Sequence, residues 1–462
     1  MLFPIVVTST GCGLLGPPSP PPAATSEMPS AFIVVIDALR ADRLGCYGHD
    51  RDTSPNMDLL AGDPDGVRFM RHYAQAAWTK PSTASLFTGL YVFQHGVAKG
   101  HEKTTTQRDW FYTSQVIDDG FTSMAEEFRA LGAHTFAVVK TYHVVPEYGF
   151  AQGFDVFEHR KEARTERQRV KRTLRAIRKS DRPFFGYLHL EGAHHPFPEK
   201  TRYPEIMDRY EFQYDEKAAA IEGKCFGDGT LYDAVRRDGV ALDERDVRFL
   251  GLVYDAKLRW VDEELIAPLI DGLRALQVYD NCLIIVTADH GEELYDRGSV
   301  GHSRTLFEEV VRIPLIVKFP RGKRPAALAH QVHEITQSID LLPSLVHFFG
   351  GRDTKTFPGV DVFSGESTGM AYAELKNNGW MLLRQNLKLI HTSGGEMLFD
   401  LDNDPGEQFD LSADRPEQVE RMREAATNLR RSAVITPRRA PEIAIRLDPE
   451  AEESLRKLGY IE

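Results

Sequence analysis

The sequence predicts an α/β fold in which a mostly parallel sheet is flanked by helices and followed by a small antiparallel sheet with one helix. Short, continuous apolar runs recur along the chain. Such a run is typical of a parallel strand that is buried on both faces. Helical patterns separate the runs, and alternating strands and helices favour a parallel sheet. Beyond residue 350 the runs become shorter and turns separate them, which predicts the second sheet.

Five apolar runs predict the strands of the main sheet: Ala31–Ile36, His134–Lys140, Phe184–Glu191, Leu283–Ala288 and Ile313–Phe319. Helical patterns precede the second and the fourth of these runs, at Thr122–Leu131 and Asp262–Leu276. Four short runs predict the small sheet: Met370–Glu374, Trp380–Arg384, Leu387–His391 and Glu396–Asp400. Glu417–Arg431 predicts a charged amphipathic helix after that sheet.

Length and charge limit the class of protein. The chain has 462 residues and 42% of them are apolar, which suits one large domain with a smaller one beside it. We expect a leader and linker over residues 1–30, a main domain over 31–350 and a small subdomain over 351–462. The net charge is −12 and no long run of Lys or Arg occurs, so we expect no nucleic-acid partner.

The N-terminal segment is apolar but short. Its Gly11-Cys12 pair resembles the end of a bacterial lipoprotein signal, and a proline-rich spacer follows. These features predict a periplasmic or lipid-anchored protein with the anchor at Cys12; a disordered tail on a cytoplasmic protein is the alternative. No run of about 18 apolar residues predicts a membrane span. The sequence does not indicate an oligomeric state.

The stretch Trp78–Gly89 reads as a helix with Thr79 at its N-terminus. Pro81 suits a first turn, and Gly89 suits the position that ends a helix. Free amides and the positive end of the helix dipole favour an anion beside Thr79. The alternative is that Thr79 only caps the helix.

Polar residues gather where the predicted parallel strands end. Asp37 follows the first strand, His194 the third, and Asp289-His290 the fourth. Ligands of such sheets bind at this edge. Carboxylate oxygens suit Mg²⁺, Ca²⁺ or Mn²⁺, and imidazole moves the preference towards Mn²⁺ or Zn²⁺. We therefore expect one divalent-metal site here and leave a second site open; a metal-free polar loop is the alternative.

Two further histidines lie near these positions. His302 follows His290 by twelve residues and could stabilise a leaving group or bind a second ion. His195 follows His194 and could contact a substrate oxyanion or simply order its loop.

From about residue 31 to 430 the chain resembles the sulfatase family of the alkaline phosphatase superfamily. The resemblance is carried by motifs that include VVIDALRADRLGCYG (34–48), TSPNMDLLA (53–61), WTKPSTASLFTGLY (78–91), TADHGE (287–292) and LFDLDNDPGE (398–407). It implies an alkaline-phosphatase-like fold and makes 31–350 the catalytic domain. It also implies that Asp37, Asp289 and His290 are metal ligands, with Thr79 as the nucleophile and a further ligand. His194 and His302 match positions that contact the charged group of the substrate.

Two departures from the family pattern affect the predicted chemistry. Sulfatases carry C-x-P-x-R or its serine equivalent, whose first residue becomes formylglycine, whereas this chain has Thr79-Lys80-Pro81-Ser82-Thr83. Threonine cannot form formylglycine, and the arginine is absent. Sulfatases also often have a second Asp after the first, where this chain has Ala38.

An unmodified threonine nucleophile resembles the phosphodiesterases and the phosphoethanolamine and glycerol-phosphate transferases of the superfamily. We therefore expect a metal-dependent hydrolase of an anionic ester, cleaving phosphate diesters, monoesters or phosphonates through a covalent intermediate on Thr79. Lys80 or His194 would hold the oxyanion, and His302 would protonate the leaving oxygen or activate water. His195 and Arg304 would bind substrate. The alternatives are a transferase acting on a lipid or glycan, a true sulfuric ester hydrolase, and a non-catalytic binding protein.

Overall fold

The structure is a computed structural model of the chain. It describes residues 28–100, 102–105, 110–159, 165–195, 230–351, 357–376, 379–432, 440–447, 452 and 455. Most of the predicted leader, including the proposed anchor at Cys12, therefore lies outside the described residues. Within the described part of the chain, no helix combines the length and apolar character needed to cross a membrane.

Seventeen strands are described. In chain order they are β1 Ser30–Ile36, β2 Gly66–Tyr73, β3 Glu102–Thr105, β4 Trp110–Gln115, β5 His134–Val139, β6 Val156–His159, β7 Phe184–Leu190, β8 Cys282–Thr287, β9 Glu293–Leu294, β10 Val300–Gly301, β11 Arg312–Lys318, β12 Gln331–Gln337, β13 Met370–Glu374, β14 Trp380–Arg384, β15 Leu387–Thr392, β16 Gly395–Asp400 and β17 Glu442–Ile445.

The described α-helices connect these strands. They are α1 Pro55–Ala61, α2 Thr79–Thr88, α3 Val92–His95, α4 Met124–Ala130, α5 Glu166–Lys179, α6 Thr230–Arg236, α7 Glu244–Val261, α8 Ala267–Ala275, α9 Glu308–Val311, α10 Leu341–Phe348 and α11 Pro416–Arg431. A π-helical turn, Asp262–Ile266, joins α7 to α8. The helix predicted over Asp262–Leu276 is therefore the C-terminal part of a longer helical segment.

The main sheet has eight strands in the order β12-β2-β11-β8-β1-β7-β5-β6. Only β11 runs antiparallel to its two neighbours, so the predicted mostly parallel sheet is confirmed. The expectation that Ile313–Phe319 forms another parallel strand is wrong, because this strand runs antiparallel to its neighbours. Burial on both faces gives an apolar run in either direction, and only a two-stranded hairpin and the four-residue α9 separate β8 from β11.

Three strands of this sheet escape prediction because their sequences are not continuously apolar. β12 and β6 are edge strands with exposed residues, and β2 has partly exposed positions between buried ones. An edge strand is not covered on both sides, so it need not be apolar throughout.

The sheet is buried between two layers of helices. Phe32, Val34 and Ile36 of β1 pack in one apolar layer with α1, α5, α7 and α8. Ile33 and Val35 point to the opposite face and pack with α2, α4 and α10. Alternation along the strands therefore decides which residues face α2.

Helix α2 begins and ends as predicted. Trp78 precedes it with extended φ and ψ of −164° and 162°, and Thr79 is its first residue. Gly89 ends the helix with a φ of 66°, in the left-handed region that glycine adopts at little cost. No side chain caps the N-terminus, so the alternative role of Thr79 as a cap is wrong. Every residue of α2 is buried.

The small C-terminal sheet is also confirmed. β13, β14, β15 and β16 pair antiparallel in consecutive order. One apolar face packs against Tyr73 and Val310 of the main domain, and the other against Val419 and Met422 of α11. The small sheet is therefore held between the main sheet region and α11.

A buried cation joins the two parts of the chain. Lys388 of β15 is fully buried, and its Nζ lies 2.9 Å from Glu308 Oε1 and 2.9 Å from Glu407 Oε1. Desolvated carboxylates need such a partner. These two carboxylates raise the pKa of Lys388 against the lowering effect of burial.

We predict that Lys388→Met lowers the free energy of unfolding by about 3–5 kcal/mol, because Glu308 and Glu407 lose their buried cation. Urea denaturation of the full chain measures the change. Arg237→Ala is the control, since the ion pairs of Arg237 are solvent-exposed and should contribute nothing measurable. A loss below about 1 kcal/mol for Lys388→Met would contradict the assigned role.

Candidate active site

Three neighbouring strands, β8, β1 and β7, bring a polar side chain to the same place. His189 of β7 pairs with Val35 of β1, and Val35 pairs with Thr287 of β8. Asp37 and Asp289 follow Val35 and Thr287 by two residues. Because side chains alternate along a strand, His189, Asp37 and Asp289 all continue the register that faces α2.

The side chains at this edge lie close enough to share one ion. His290 Nε2 lies 3.4 Å from Asp37 Oδ1 and 3.6 Å from Asp289 Oδ2. His189 Nε2 lies 3.9 Å from Asp37 Oδ2 and 3.8 Å from Asp289 Oδ2. Asp37, His189 and Asp289 offer ligand atoms within 4.8 Å of one another, and all are buried.

These groups fit a divalent cation. Asp37 Oδ1, Asp289 Oδ2 and His189 Nε2 are buried and have no hydrogen-bond partner among the described residues. Burial raises the pKa of Asp37 well above its usual range, and the carboxylates of Asp289 and Glu292 raise it further. Buried anions that repel one another and lack donors are the environment that a metal ion stabilises.

The orientation of His290 supports the same conclusion. Its Nδ1 lies 2.8 Å from the carbonyl oxygen of Gly291 and must donate to it, since a carbonyl only accepts. Nε2 then carries the lone pair that a metal ion requires. Gly291 itself lies so close to the helix α9 that a Cβ would be 2.1 Å from the Glu309 carbonyl oxygen.

Thr79 lies beside this group. Its Oγ1 is 3.3 Å from His290 Nε2, and the side chain is almost fully buried. In helix geometry the amides of Thr79 and Lys80 have no intrahelical acceptor, and Pro81 has no amide hydrogen. The structure therefore places Asp37, Thr79, Asp289 and His290 together, as the sequence predicts. The amides of Thr79 and Lys80 are hydrogen-bond donors beside the Thr79 hydroxyl.

Two imidazoles predicted at the substrate are in contact with each other. The ring centroids of His194 and His302 are 4.8 Å apart, and those of His290 and His302 are 4.3 Å apart. His302 Nδ1 lies 3.2 Å and 3.4 Å from the two carboxylate oxygens of Glu292. His194 Nδ1 donates to the carbonyl of His195. Both rings therefore keep Nε2 free of a proton.

Burial controls the charge of these imidazoles. Burial, and then the neighbouring His302, hold the pKa of His194 well below its usual value. Burial, then His290 and Arg236, do the same for the pKa of His302. These surroundings therefore favour the neutral form of both rings.

The other residues that the sequence predicts at the substrate are Lys80, His195 and Arg304. Lys80 Nζ donates to Ser114 Oγ at 2.6 Å and lies 4.2 Å from the Tyr148 ring centroid, and burial lowers the pKa of Lys80 to about 7. His195 is buried, which lowers its pKa to about 3. Arg304 is exposed at the surface. The partial desolvation of its guanidinium, together with the nearby Arg236 guanidinium, lowers the pKa of Arg304.

Three residues at the site have no predicted role in the sequence. His189 could have been identified because it interrupts an otherwise apolar, fully buried strand. Glu292 directly follows the Asp289-His290-Gly291 turn. Lys257 of α7 donates to the carbonyl of His194, and burial lowers the pKa of Lys257 to about 7. No local pattern distinguishes Lys257 from a surface lysine of an amphipathic helix.

Comparison with known proteins agrees with this geometry. The family model described as Sulfatase matches residues 29–351, which is more than half of the chain. This chain belongs to the Sulfatase family. The family resemblance inferred from the sequence motifs is therefore confirmed.

Similar proteins include members with different stated activities. The chain is 23% identical over 443 residues to the uncharacterized sulfatase YidJ of Escherichia coli strain K12, covering 84% of each. It is 25% identical over 398 residues to the multifunctional alkaline phosphatase superfamily protein PehA of Trinickia caryophylli, covering 71% of this chain and 75% of PehA. The phosphonate monoester hydrolase of Agrobacterium radiobacter has the same fold, with a TM-score of 0.69 at 19% identity over 91% of this chain and 100% of that one.

The protein is accordingly a Sulfatase-family ester hydrolase with an alkaline-phosphatase-like α/β fold. Enzymes of this family depend on a metal ion, and the Asp37, His189 and Asp289 group could hold one. Within the described residues we find one group of this kind.

We predict that Glu292→Ala lowers kcat of this Sulfatase-family hydrolase about 10- to 100-fold, because His302 loses the carboxylate that orients its ring. Glu292→Gln should lower kcat less, since an amide oxygen can still accept from Nδ1. Steady-state kinetics on the best ester substrate measures both.

Glu293→Gln is the matched control. Glu293 is the adjacent buried carboxylate, but its partner is the Thr305 hydroxyl at 2.9 Å. We expect its kcat to equal that of the parent chain. Equal kcat values for Glu292→Ala and Glu293→Gln would show that Glu292 does not orient His302.

Proposed function

We propose that this Sulfatase-family hydrolase cleaves phosphate diesters, phosphate monoesters or phosphonates through a covalent ester on the Thr79 hydroxyl. One observation carries the proposal: the side chain at the nucleophile position is a threonine, with Oγ1 3.3 Å from His290 Nε2 at the N-terminus of a buried helix. A threonine hydroxyl needs no conversion to act as a nucleophile. Phosphorus esters are the substrates that such an unmodified hydroxyl suits.

Asp37, Asp289, His290 and Thr79 would hold the divalent ion of this enzyme. When bound, that ion lowers the pKa of a coordinated hydroxyl and polarises a non-bridging oxygen of the ester. The hydrogen bond from Ser82 Oγ to the Asp289 carbonyl oxygen, 2.5 Å long, ties α2 to the loop that carries two of these ligands. The hydroxyl and its acidic neighbours are thus fixed relative to one another.

The reaction balances as two displacements. In the first, Thr79 Oγ1 forms a bond to phosphorus, the bond from phosphorus to the leaving oxygen breaks, and the hydroxyl proton passes to the leaving oxygen. In the second, water attacks phosphorus, the bond to Thr79 Oγ1 breaks, one water proton restores the hydroxyl, and the phosphate or phosphonate product is released. The amides of Thr79 and Lys80 at the positive end of α2 stabilise negative charge on the phosphoryl oxygens in both steps.

The neighbouring imidazoles supply polar contacts for these steps. His302, oriented by Glu292, would accept a proton at Nε2 from the attacking hydroxyl or water and pass it to the leaving oxygen. His194, held through its own Nδ1 and through Lys257 at its carbonyl, is in position to contact the ester oxygens. Arg304 and His195 are proposed contacts of the substrate beyond the phosphoryl group.

Sulfate ester hydrolysis is the second candidate, because the family and several of the similar proteins are described as sulfatases. In that case Thr79 would have to form a sulfate ester that water then cleaves. Both reactions use the same anion site, so they differ only in whether a phosphoryl or a sulfuryl group is transferred to Thr79.

The test compares nitrophenyl esters of four kinds: a phosphate monoester, a phosphate diester, a phosphonate and a sulfate. Each is measured with Mg²⁺, Ca²⁺, Mn²⁺ and Zn²⁺. We expect turnover of a phosphorus ester, a fall in kcat of more than about a thousandfold for Thr79→Ala, and partial activity for Thr79→Ser, which keeps a hydroxyl. Acid quenching during turnover should leave a phosphoryl group on the Thr79 peptide in mass spectrometry.

Thr88→Ala is the matched control for this test. It removes a buried hydroxyl from the other end of α2, where Thr88 Oγ1 donates to the Ala84 carbonyl oxygen at 2.7 Å. Its kcat should equal that of the parent chain. Sulfate turnover without phosphorus activity would overturn the proposal in favour of the second candidate. Phosphorylation of Thr79 without release to water would instead indicate a transferase.

A further inference from the structure

His189 is an unusual residue for its place in the sheet. The strand β7 is fully buried, and His189 is its only basic side chain. Its neighbours on the two adjacent strands are apolar: Val35 on β1 and Val139 on β5. A fully buried imidazole in such surroundings needs partners for both ring nitrogens.

One nitrogen has a partner within the sheet. His189 Nδ1 lies 2.9 Å from the hydroxyl of Tyr187, two residues earlier on the same face. Nδ1 is therefore satisfied by Tyr187, and Nε2 is the nitrogen left for a further partner. With Nδ1–H donating to this hydroxyl, Nε2 carries a lone pair.

The other nitrogen faces only acceptors. Nε2 lies between Asp37 Oδ2, at 3.9 Å, and Asp289 Oδ2, at 3.8 Å. Both distances are too long for hydrogen bonds. They suit two ligands of one ion, because ligand atoms bonded at about 2.0–2.2 Å are separated by about 3–4 Å. Asp37 Oδ1, Asp289 Oδ2 and Nε2 are also without hydrogen-bond partners among the described residues.

The residue after Asp37 bears on this arrangement. Ala38 occupies the position at which sulfatases often have a second aspartate, and a methyl group offers no ligand. Its backbone adopts a φ of 58°, and its amide lies 3.4 Å from Asp289 Oδ1. Position 38 therefore supplies no carboxylate to the ion, which would leave a place for a donor from another strand.

We propose that His189 is a protein ligand of the metal ion. The protein donor set then contains two carboxylates, from Asp37 and Asp289, and two imidazoles, from His189 and His290, with the Thr79 hydroxyl beside them. Imidazole donors favour transition-metal ions, whereas Ca²⁺ and Mg²⁺ favour oxygen donors alone. The structure accordingly assigns the site to a transition-metal ion, with Zn²⁺ bound more tightly than Mn²⁺ and both more tightly than Ca²⁺ or Mg²⁺.

This inference rests on the proposed function only for the location of the ion. Metal-binding affinity tests it without any substrate. The full chain is stripped with a chelator and titrated calorimetrically with Zn²⁺, Mn²⁺, Ca²⁺ and Mg²⁺ in turn. We expect Zn²⁺ to bind at least about 100-fold more tightly than Ca²⁺ or Mg²⁺. Failure of nitrophenyl ester turnover alongside this order of affinities would count against the reaction and not against the ligand.

Two variants test His189 directly. His189→Asn should weaken Zn²⁺ binding at least about 100-fold and leave Ca²⁺ binding within about threefold, because an amide oxygen still suits Ca²⁺. Tyr187→Phe keeps the metal ligands but removes the partner of Nδ1, and should weaken Zn²⁺ binding about 10- to 100-fold.

His72→Asn is the matched control. His72 is a fully buried strand histidine of β2 that contacts the Thr336 hydroxyl at 2.9 Å, and it lies in no part of the site. Its Zn²⁺ affinity should equal that of the parent chain. Circular dichroism of each metal-free variant confirms that it is folded before titration.

The outcomes separate clearly. Weaker Zn²⁺ binding in His189→Asn, with a folded chain and an unaffected His72→Asn control, supports His189 as a ligand. Unchanged Zn²⁺ affinity in His189→Asn would overturn it. A parent chain that binds Ca²⁺ or Mg²⁺ more tightly than Zn²⁺, or that binds none of the four ions, would overturn the assignment to a transition metal.

Discussion

The structure of the site depends on two carboxylates that are buried at the ends of adjacent strands. Asp37 directly follows β1 and Asp289 lies two residues after β8, and the two strands are paired in parallel. Burying unpaired anions costs several kcal/mol each. Amides of Ala38 and His290, at 3.4 Å and 3.0 Å, satisfy only Asp289 Oδ1. Asp37 Oδ1 and Asp289 Oδ2 have no hydrogen-bond partner among the described residues, and a cation is their natural partner. Nε2 of His189 and Nε2 of His290 lie beside these carboxylates.

The Thr79 hydroxyl is positioned by the same constraint. Helix α2 is buried along its whole length between the sheet and α10, and the Ser82 hydroxyl fixes it to the Asp289 carbonyl. A helix held in this way cannot shift its first residue away from the strand ends without losing core contacts. The Thr79 hydroxyl is therefore held in one position beside the carboxylates of Asp37 and Asp289. Its chemical identity, rather than its position, distinguishes this chain from the formylglycine pattern of the family.

Sequence patterns were reliable wherever a feature was local. Continuous apolar runs identified five strands of the main sheet, and Gly89 identified the end of α2, because burial and backbone conformation act on adjacent residues. The edge strands β6 and β12 escaped because exposure removes their apolar pattern. The direction of β11 also escaped, since an apolar run is the same in either direction. Glu292 lies inside a recognisable motif. Its role was not predicted, because it depends on the chain turning back so that His302, ten residues later, contacts it.

The sequence by itself determined the α/β class and the membership of the family, and it predicted that Asp37, Thr79, Asp289 and His290 would lie together. Each of these follows from residue types at fixed spacing near strand or helix ends. Only the tertiary structure decided that His189 faces the carboxylates and that Lys257 reaches His194. These contacts join β7 to β1 and β8, and α7 to the loop after β7, across long stretches of chain. Sheet register and helix packing set them, and neither leaves a local pattern in the sequence.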